Sequence, residues 1–123
     1  MDKRKMIQNY FHSWITRDFS KIPEYFHQDI VYRECYGPVY HGMDEISSWL
    51  CHMRTKQRVI AWHIYRILDV SDDIFVLEWY FYAEETAKYS FYGVSIIEFD
   101  GGKIISISEY EQKHETYRPY EET

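Results

Sequence analysis

The chain has 123 residues, which fits one compact domain and leaves too little chain for two stable cores, so we expect a single domain over residues 1–123. Its formal net charge of −6 argues against nucleic acid and anionic lipid as partners, because both need clustered Lys and Arg. No apolar run approaches the roughly 20 residues of a membrane span, and no charged-then-apolar leader opens the sequence, so we expect a cytoplasmic protein.

The first predicted element is an amphipathic helix that begins after Asp2 as its N-cap and ends near Arg17. Its apolar residues recur every three or four positions: Met6, Ile7, Tyr10, Phe11, Trp14 and Ile15. A short second helix is expected next, with Asp18 or Ser20 as its cap and Pro23 in its first turn.

A strand and a third helix are predicted next. Residues 29–35 are rich in strand-forming residues and are stopped by residues 36–38 (YGP), which leaves Glu34 near the end of the strand. The third helix follows Gly42, with Asp44 as its cap. Its apolar residues again have helical spacing: Ile46, Trp49, Leu50 and Met53.

The second half of the chain predicts a four-stranded meander. Short turns join four long β-rich runs, at about residues 58–70, 73–85, 88–100 and 103–113. Runs joined by such turns pair antiparallel, and long twisted strands curl. We therefore predict an α+β fold in which three N-terminal helices close a cone-shaped, curved antiparallel sheet around an apolar pocket.

Aromatic residues make up 20% of the chain, and 13 of them are Tyr, which favours a semi-polar cavity or an interface because each buried hydroxyl needs a partner. A tyrosine-rich sheet surface is the alternative. Cys35 and Cys51 form no Cys-x-x-Cys pair, and the six histidines lack metal-ligand spacing, so we expect no metal. No P-loop, dinucleotide fingerprint or nucleophile elbow occurs, and no cofactor is expected.

This order of elements, together with three motifs, resembles the nuclear transport factor 2-like superfamily and within it the SnoaL-like branch. The motifs are residues 32–34 (YRE), 40–42 (YHG) and 93–104 (GVSIIEFDGGKI). The resemblance implies the cone-shaped α+β barrel. Members include isomerases, polyketide cyclases, epoxide hydrolases and dehydratases as well as binding proteins, so the fold is implied more strongly than any activity.

Similarity to the ketosteroid isomerases can be followed residue by residue. In an ungapped alignment their helix-one tyrosine falls on Tyr10 and their catalytic aspartate on Glu34. Their second oxyanion donor, a protonated aspartate, falls on Ser95, which is a weaker donor. The resemblance thus implies Glu34 as a catalytic base and Tyr10 as a hydrogen-bond donor to a substrate oxygen.

Four further positions are ligand-binding candidates: Ser95, Trp14, His63 and Glu109. Glu109 and Glu111 share a side of the last strand with Ile105 and Ile107, so one glutamate can face inward with them. Two carboxylates in one cavity would favour hydration, dehydration or epoxide opening over simple isomerisation.

Each candidate also has a purely structural interpretation. Tyr10 can be a core ring of helix one, and Glu34 can be an exposed partner of Arg33 or Arg66. Ser95 can simply make room for a ligand or a ring, and His63 can be a hydrogen-bonded core residue.

Three functions follow as hypotheses. The first is an acid–base enzyme for a small apolar or carbonyl-containing molecule, and the second is a non-catalytic binder of such a molecule. The third is an interaction domain. Because Tyr92, Val94 and Ile96 would leave apolar side chains on the outer sheet face, we expect a homodimer through that face under all three hypotheses.

Overall fold

The computed structural model describes residues 2–121 and has an α+β architecture, as predicted. Three helices are present in this part of the chain: α1 (Lys3–Thr16), α2 (Ile22–Tyr25) and α3 (Gly42–Lys56). Six strands form one sheet: β1 (Phe26–Arg33), β2 (Val39–His41), β3 (Arg58–Asp69), β4 (Ile74–Glu84), β5 (Lys88–Asp100) and β6 (Lys103–Glu111).

Helix α1 agrees with the prediction from its apolar spacing. The Asp2 carboxylate accepts a hydrogen bond from the Arg4 N–H at 2.9 Å, and Arg17 ends the helix in the left-handed region with φ 63°. One face of the helix is buried and carries Met6, Ile7, Tyr10, Phe11 and Trp14. This face packs on the sheet at β3.

The predicted caps of the other two helices are wrong. The Asp18 carboxylate accepts a hydrogen bond from the Ser20 N–H within the preceding turn, and α2 begins without a side-chain cap. Asp44 lies in the first turn of α3, where its charge favours the helix dipole. The backbone N–H of His41 is satisfied by the Glu45 carboxylate at 2.8 Å.

The sheet is mixed, not antiparallel as predicted. Its strand order is β2-β1-β6-β5-β4-β3, and strands β3 to β6 form the predicted antiparallel meander. Strand β1, however, pairs parallel with β6, and the short β2, which the sequence analysis missed, pairs antiparallel with β1. The reason is that α3 and four strands intervene between β1 and β6, so no hairpin fixes the direction of this pair.

The sheet is curved, and α1 and α3 pack against it. Register shifts occur in β1 between Phe26 and Val31 and in β3 at two places, and such bulges bend strands. Helix α3 follows β1 and β2 in the chain, so the three helices are interleaved with strands. The cone shape itself stays a prediction. Across residues 2–121, no helix is long and apolar enough to cross a membrane.

Candidate functional site

An aromatic cavity lies between the inner face of the sheet and helices α1 and α3. All four tryptophans of the chain line it: Trp14, Trp49, Trp62 and Trp79. Its volume is about 30 Å³, which holds one or two water molecules, so a larger molecule enters only when side chains of the wall move. Two carboxylates, Glu34 and Glu109, also line this cavity, beside four other polar side chains: Tyr32, Cys35, Tyr36 and Gln57.

Glu109 is the buried carboxylate of the pair. It lies on the inner face of β6, and its Oε2 accepts a hydrogen bond from the Tyr32 hydroxyl at 2.6 Å. Burial, aided by the negative charge of Glu34, outweighs this hydrogen bond and raises the pKa of Glu109 to about 8. At pH 7 such a group is about nine-tenths protonated.

Glu34 is the more accessible carboxylate. It lies directly after β1, where its backbone N–H donates to the Pro38 carbonyl at 2.9 Å and so holds the loop between β1 and β2. Its Oε1 accepts a hydrogen bond from the Tyr40 hydroxyl at 2.6 Å. Partial burial raises the pKa of Glu34, while the bond from Tyr40 and the charge of Lys56 oppose that rise.

Tyr10 does not occupy the place that the sequence analysis assigned to it. The side chain is fully buried, and its hydroxyl donates to the Tyr32 hydroxyl at 2.7 Å and accepts from Trp14 Nε1 at 3.0 Å. Tyr32 in turn donates to Glu109. Tyr10 therefore lies one hydrogen bond behind Tyr32 and is not among the residues that line the cavity, and direct donation to a ligand stays a prediction. Burial and the charge of Glu109 raise its pKa well above 10.

Two further candidates also lie away from the cavity. Ser95 is fully buried on β5, and its hydroxyl accepts a hydrogen bond from Trp79 Nε1 at 2.9 Å, which places it behind a wall residue. His63 is exposed on the opposite face of β3 and pairs with Tyr80 of β4. Its expected place in the pocket is wrong, because strand alternation turns Trp62 inward and therefore turns His63 outward.

The structure thus brings together three of the predicted residues in one cavity, namely Glu34, Glu109 and Trp14. The sequence analysis missed the roles of Tyr32 and Tyr40, which donate to the two carboxylates. Tyr32 could have been found, since alternation along β1 places it on the same face as Glu34. Tyr40 could not, because it lies on the strand that the sequence did not predict.

Two carboxylates in different surroundings can give a proton to a bound molecule and take a proton from it. A neutral, buried glutamic acid can donate a proton, and a half-exposed glutamate with a raised pKa can accept one near neutral pH. Among the residues that the structure describes, no three His, Cys, Asp or Glu side chains cluster so as to hold a metal ion.

Comparison with known proteins gives a family and a fold. A family model of the SnoaL-like domain matches residues 7–107. No curated protein matches the chain.

Several solved structures have the same fold. An LEH-like epoxide hydrolase from M. tuberculosis superposes with a TM-score of 0.80 at 16% identity, over 90% of this chain and 79% of that one. A protein of ketosteroid isomerase-like fold from Catenulispora acidiphila, in complex with trimethylamine, gives 0.75 at 15% identity, over 85% and 83%. A protein of cystatin-like fold from Xanthomonas campestris gives 0.71 at 17% identity, over 90% and 91%.

Proposed function

The chain belongs to the family of SnoaL-like domains, and on that basis we propose that it is a cofactor-independent acid–base enzyme for a small apolar molecule with a carbonyl or epoxide oxygen. One observation carries the proposal. Glu34 and Glu109 line the same aromatic cavity, yet their hydrogen-bond partners and their burial differ. Such a difference separates the pKa values of two acids and assigns one as the donor and the other as the acceptor.

In this proposal Glu34 is the general base and Glu109 is the general acid. Glu34 takes a proton either from a carbon beside a carbonyl or from a water molecule, and neutral Glu109 gives a proton to the substrate oxygen as negative charge develops there. Tyr10, the donor expected from the sequence, becomes a positioning residue that acts through Tyr32.

The reaction class follows from what the base attacks. Removal of a proton from one carbon and its return to a different carbon gives isomerisation, whereas removal of a proton from water lets the water add to a double bond or open an epoxide. The similar folds named above include an epoxide hydrolase and a protein of ketosteroid isomerase-like fold. Both substrate classes therefore belong in the first screen, which would use cyclohexene oxide and cyclohex-3-enone.

The test is turnover of these two compounds by the wild-type protein and by three glutamine variants. We expect Glu34→Gln and Glu109→Gln each to lower kcat/KM by about 10²- to 10⁴-fold, the usual contribution of general acid–base groups. Glu111→Gln is the matched control, because Glu111 lies exposed at the end of the same strand as Glu109. Full activity of Glu34→Gln or Glu109→Gln would contradict the assigned roles. Binding of the compounds without turnover would favour the non-catalytic binder.

We also propose that the outer sheet face joins two copies of the chain. That face carries a row of exposed apolar and aromatic side chains: Tyr65, Tyr92, Ile96 and Tyr110. A β-rich face of this kind is most simply covered by a second copy related by a two-fold axis. Light scattering should give twice the chain mass, and Tyr92→Lys together with Ile96→Lys should give the monomer. A wild-type monomer at micromolar concentration would contradict the proposal.

A further inference from the structure

Strand β5 extends beyond the end of its neighbour β6. The pairing of the two strands runs from Gly93–Glu111 to Asp100–Lys103, whereas β5 itself begins at Lys88. On its other edge β5 pairs with β4 along its first residues as well. In the sheet formed by the described residues, the start of β5 therefore has a strand on one side and an open edge on the other.

The loop between β1 and β2 reaches this open edge with the side chain of Tyr36. The Tyr36 ring meets the ring of Phe91 on β5 edge-on, with the ring centres 5.9 Å apart. Both residues line the cavity, and both also line an outer groove of about 450 Å³. The two rings therefore form the wall between a space for one or two water molecules and a much larger groove.

Phe91 is the fixed half of this wall, and Tyr36 is the half that can move. Phe91 lies within the sheet and packs on Trp79 and Phe81, with ring centres 5.8 and 5.3 Å away. Tyr36 is 47% exposed, and no other residue that lines the cavity is exposed. The next residue is Gly37, whose φ of 112° suits only glycine. An exposed side chain on such a loop changes rotamer far more readily than a ring packed in a core.

We propose that Tyr36 is the gate of the cavity: its ring turns away from Phe91, joins the cavity to the outer groove and lets a small neutral substrate reach Glu34 and Glu109. The inference rests on the proposed function, for which it supplies the entry path. A substrate larger than one or two water molecules needs the open state while it is bound, so the closed ring and the substrate compete for the same space. The fraction of open protein then sets the apparent affinity.

Quenching of tryptophan fluorescence by acrylamide tests whether Tyr36 closes the cavity. All four tryptophans of the chain line this cavity, and each is at most 8% exposed, so the fluorescence of the whole protein reports on access to one space. Acrylamide is a neutral carbonyl compound and is larger than a water molecule, as the proposed substrates are. We expect it to quench the wild-type protein weakly.

Three variants identify the barrier. Tyr36→Ala removes the ring and should raise the quenching constant toward that of an indole in water. Tyr36→Phe keeps the ring and loses only the hydroxyl, which interacts with Tyr89, so it should quench like the wild type. Tyr117→Ala is the matched control, because Tyr117 is 81% exposed and lines neither the cavity nor the groove, and it should also quench like the wild type.

Melting curves of the three variants show that each is folded at the temperature of the measurement. The gate is refuted if folded Tyr36→Ala quenches like the wild type, or if the wild type already quenches like an indole in water. A rise in Tyr36→Phe or Tyr117→Ala as large as that in Tyr36→Ala also refutes it.

Association kinetics test the opening itself. Cyclohexene oxide and cyclohex-3-enone are mixed with each protein in a stopped-flow instrument, and tryptophan fluorescence follows their binding. Tyr36→Ala should raise the association rate constant by about tenfold or more, because a required conformational change slows association. A ring that merely touched the bound molecule would, when removed, raise the dissociation rate constant and leave association unchanged. That result for a compound that binds would refute the gate.

These measurements separate the gate from the proposed function. Stronger quenching in Tyr36→Ala supports the gate even if neither compound is bound or turned over, and the proposed enzyme alone then fails. Conversely, turnover that is lost in Glu34→Gln and Glu109→Gln supports the enzyme even if Tyr36→Ala quenches like the wild type, and the gate alone then fails.

Discussion

Replacing Glu109 with glutamine should change how the stability of the protein depends on pH. In the folded protein the pKa of Glu109 is raised from 4.5 to about 8, chiefly by burial. In the unfolded chain the same group loses its proton near its ordinary value. Between these two pH values the folded state holds a proton that the unfolded state has released, so stability falls as pH rises.

The size of the effect follows from the shift. One pKa unit is worth about 1.4 kcal/mol, so the wild-type protein should lose at most about 4 to 5 kcal/mol of unfolding free energy between pH 4.5 and pH 8. This value is a ceiling, because local relaxation lets water reach the ionised carboxylate. Glu109→Gln removes the titration and keeps an oxygen that can accept from Tyr32. Any other effect of the substitution on packing is the same at every pH and leaves the slope unchanged.

Urea denaturation of both proteins at pH 5, 6, 7 and 8 measures the difference. The unfolding free energy of the wild type should fall relative to that of Glu109→Gln by up to about 1.4 kcal/mol per pH unit, most clearly between pH 5 and pH 7. Glu111→Gln, with its exposed side chain, should follow the wild type. If the curves of Glu109→Gln and the wild type run parallel over this range, Glu109 is not a neutral acid in the folded protein.

Three more predictions follow from the contacts. Tyr32→Phe removes a hydrogen bond that lowers the pKa of Glu109, so the alkaline limb of the pH–rate profile should move to higher pH. Tyr40→Phe should move the acid limb to higher pH, because its hydrogen bond lowers the pKa of Glu34, and an unchanged limb in either variant would contradict the assignment. Gly93→Ala should lower stability by about 1 to 3 kcal/mol in thermal melts, since a β-carbon would lie 2.4 Å from the tryptophan ring opposite on β4.

Local sequence patterns predicted most of the helices and strands, because these elements depend on residues that are close together in the chain. The three-to-four spacing in α1 and the short turns of the meander depend on neighbours in the chain, and both predictions are confirmed. The caps were wrong at Asp18 and Asp44, because several polar residues near a helix start compete for the same N–H groups. The three residues of β2 are too few for any period to be visible.

The site was predictable where alternation along one strand decides which way a side chain points. That argument predicted that one of Glu109 and Glu111 faces inward with Ile107, and the structure buries Glu109 and exposes Glu111. The same argument would have turned His63 outward once Trp62 was placed in the core. The Tyr32–Glu109 hydrogen bond could not be foreseen, because it depends on the parallel pairing of β1 with β6, which no local pattern indicates.

The parallel pairing of β1 with β6 is the feature that brings the two carboxylates together. In the register of β1 with β6, Tyr32 pairs with Ile107 and Arg33 pairs with Ser108. The residues that follow this last pair are Glu34 in one segment and Glu109 in the other. A slip of one residue would turn one strand's inward side chains to the other face of the sheet and separate the acids. The Tyr32–Glu109 hydrogen bond at 2.6 Å joins the same two strands and opposes such a slip. The hydrogen bond that lowers the pKa of Glu109 therefore also stabilises the strand register that places Glu34 and Glu109 in one cavity.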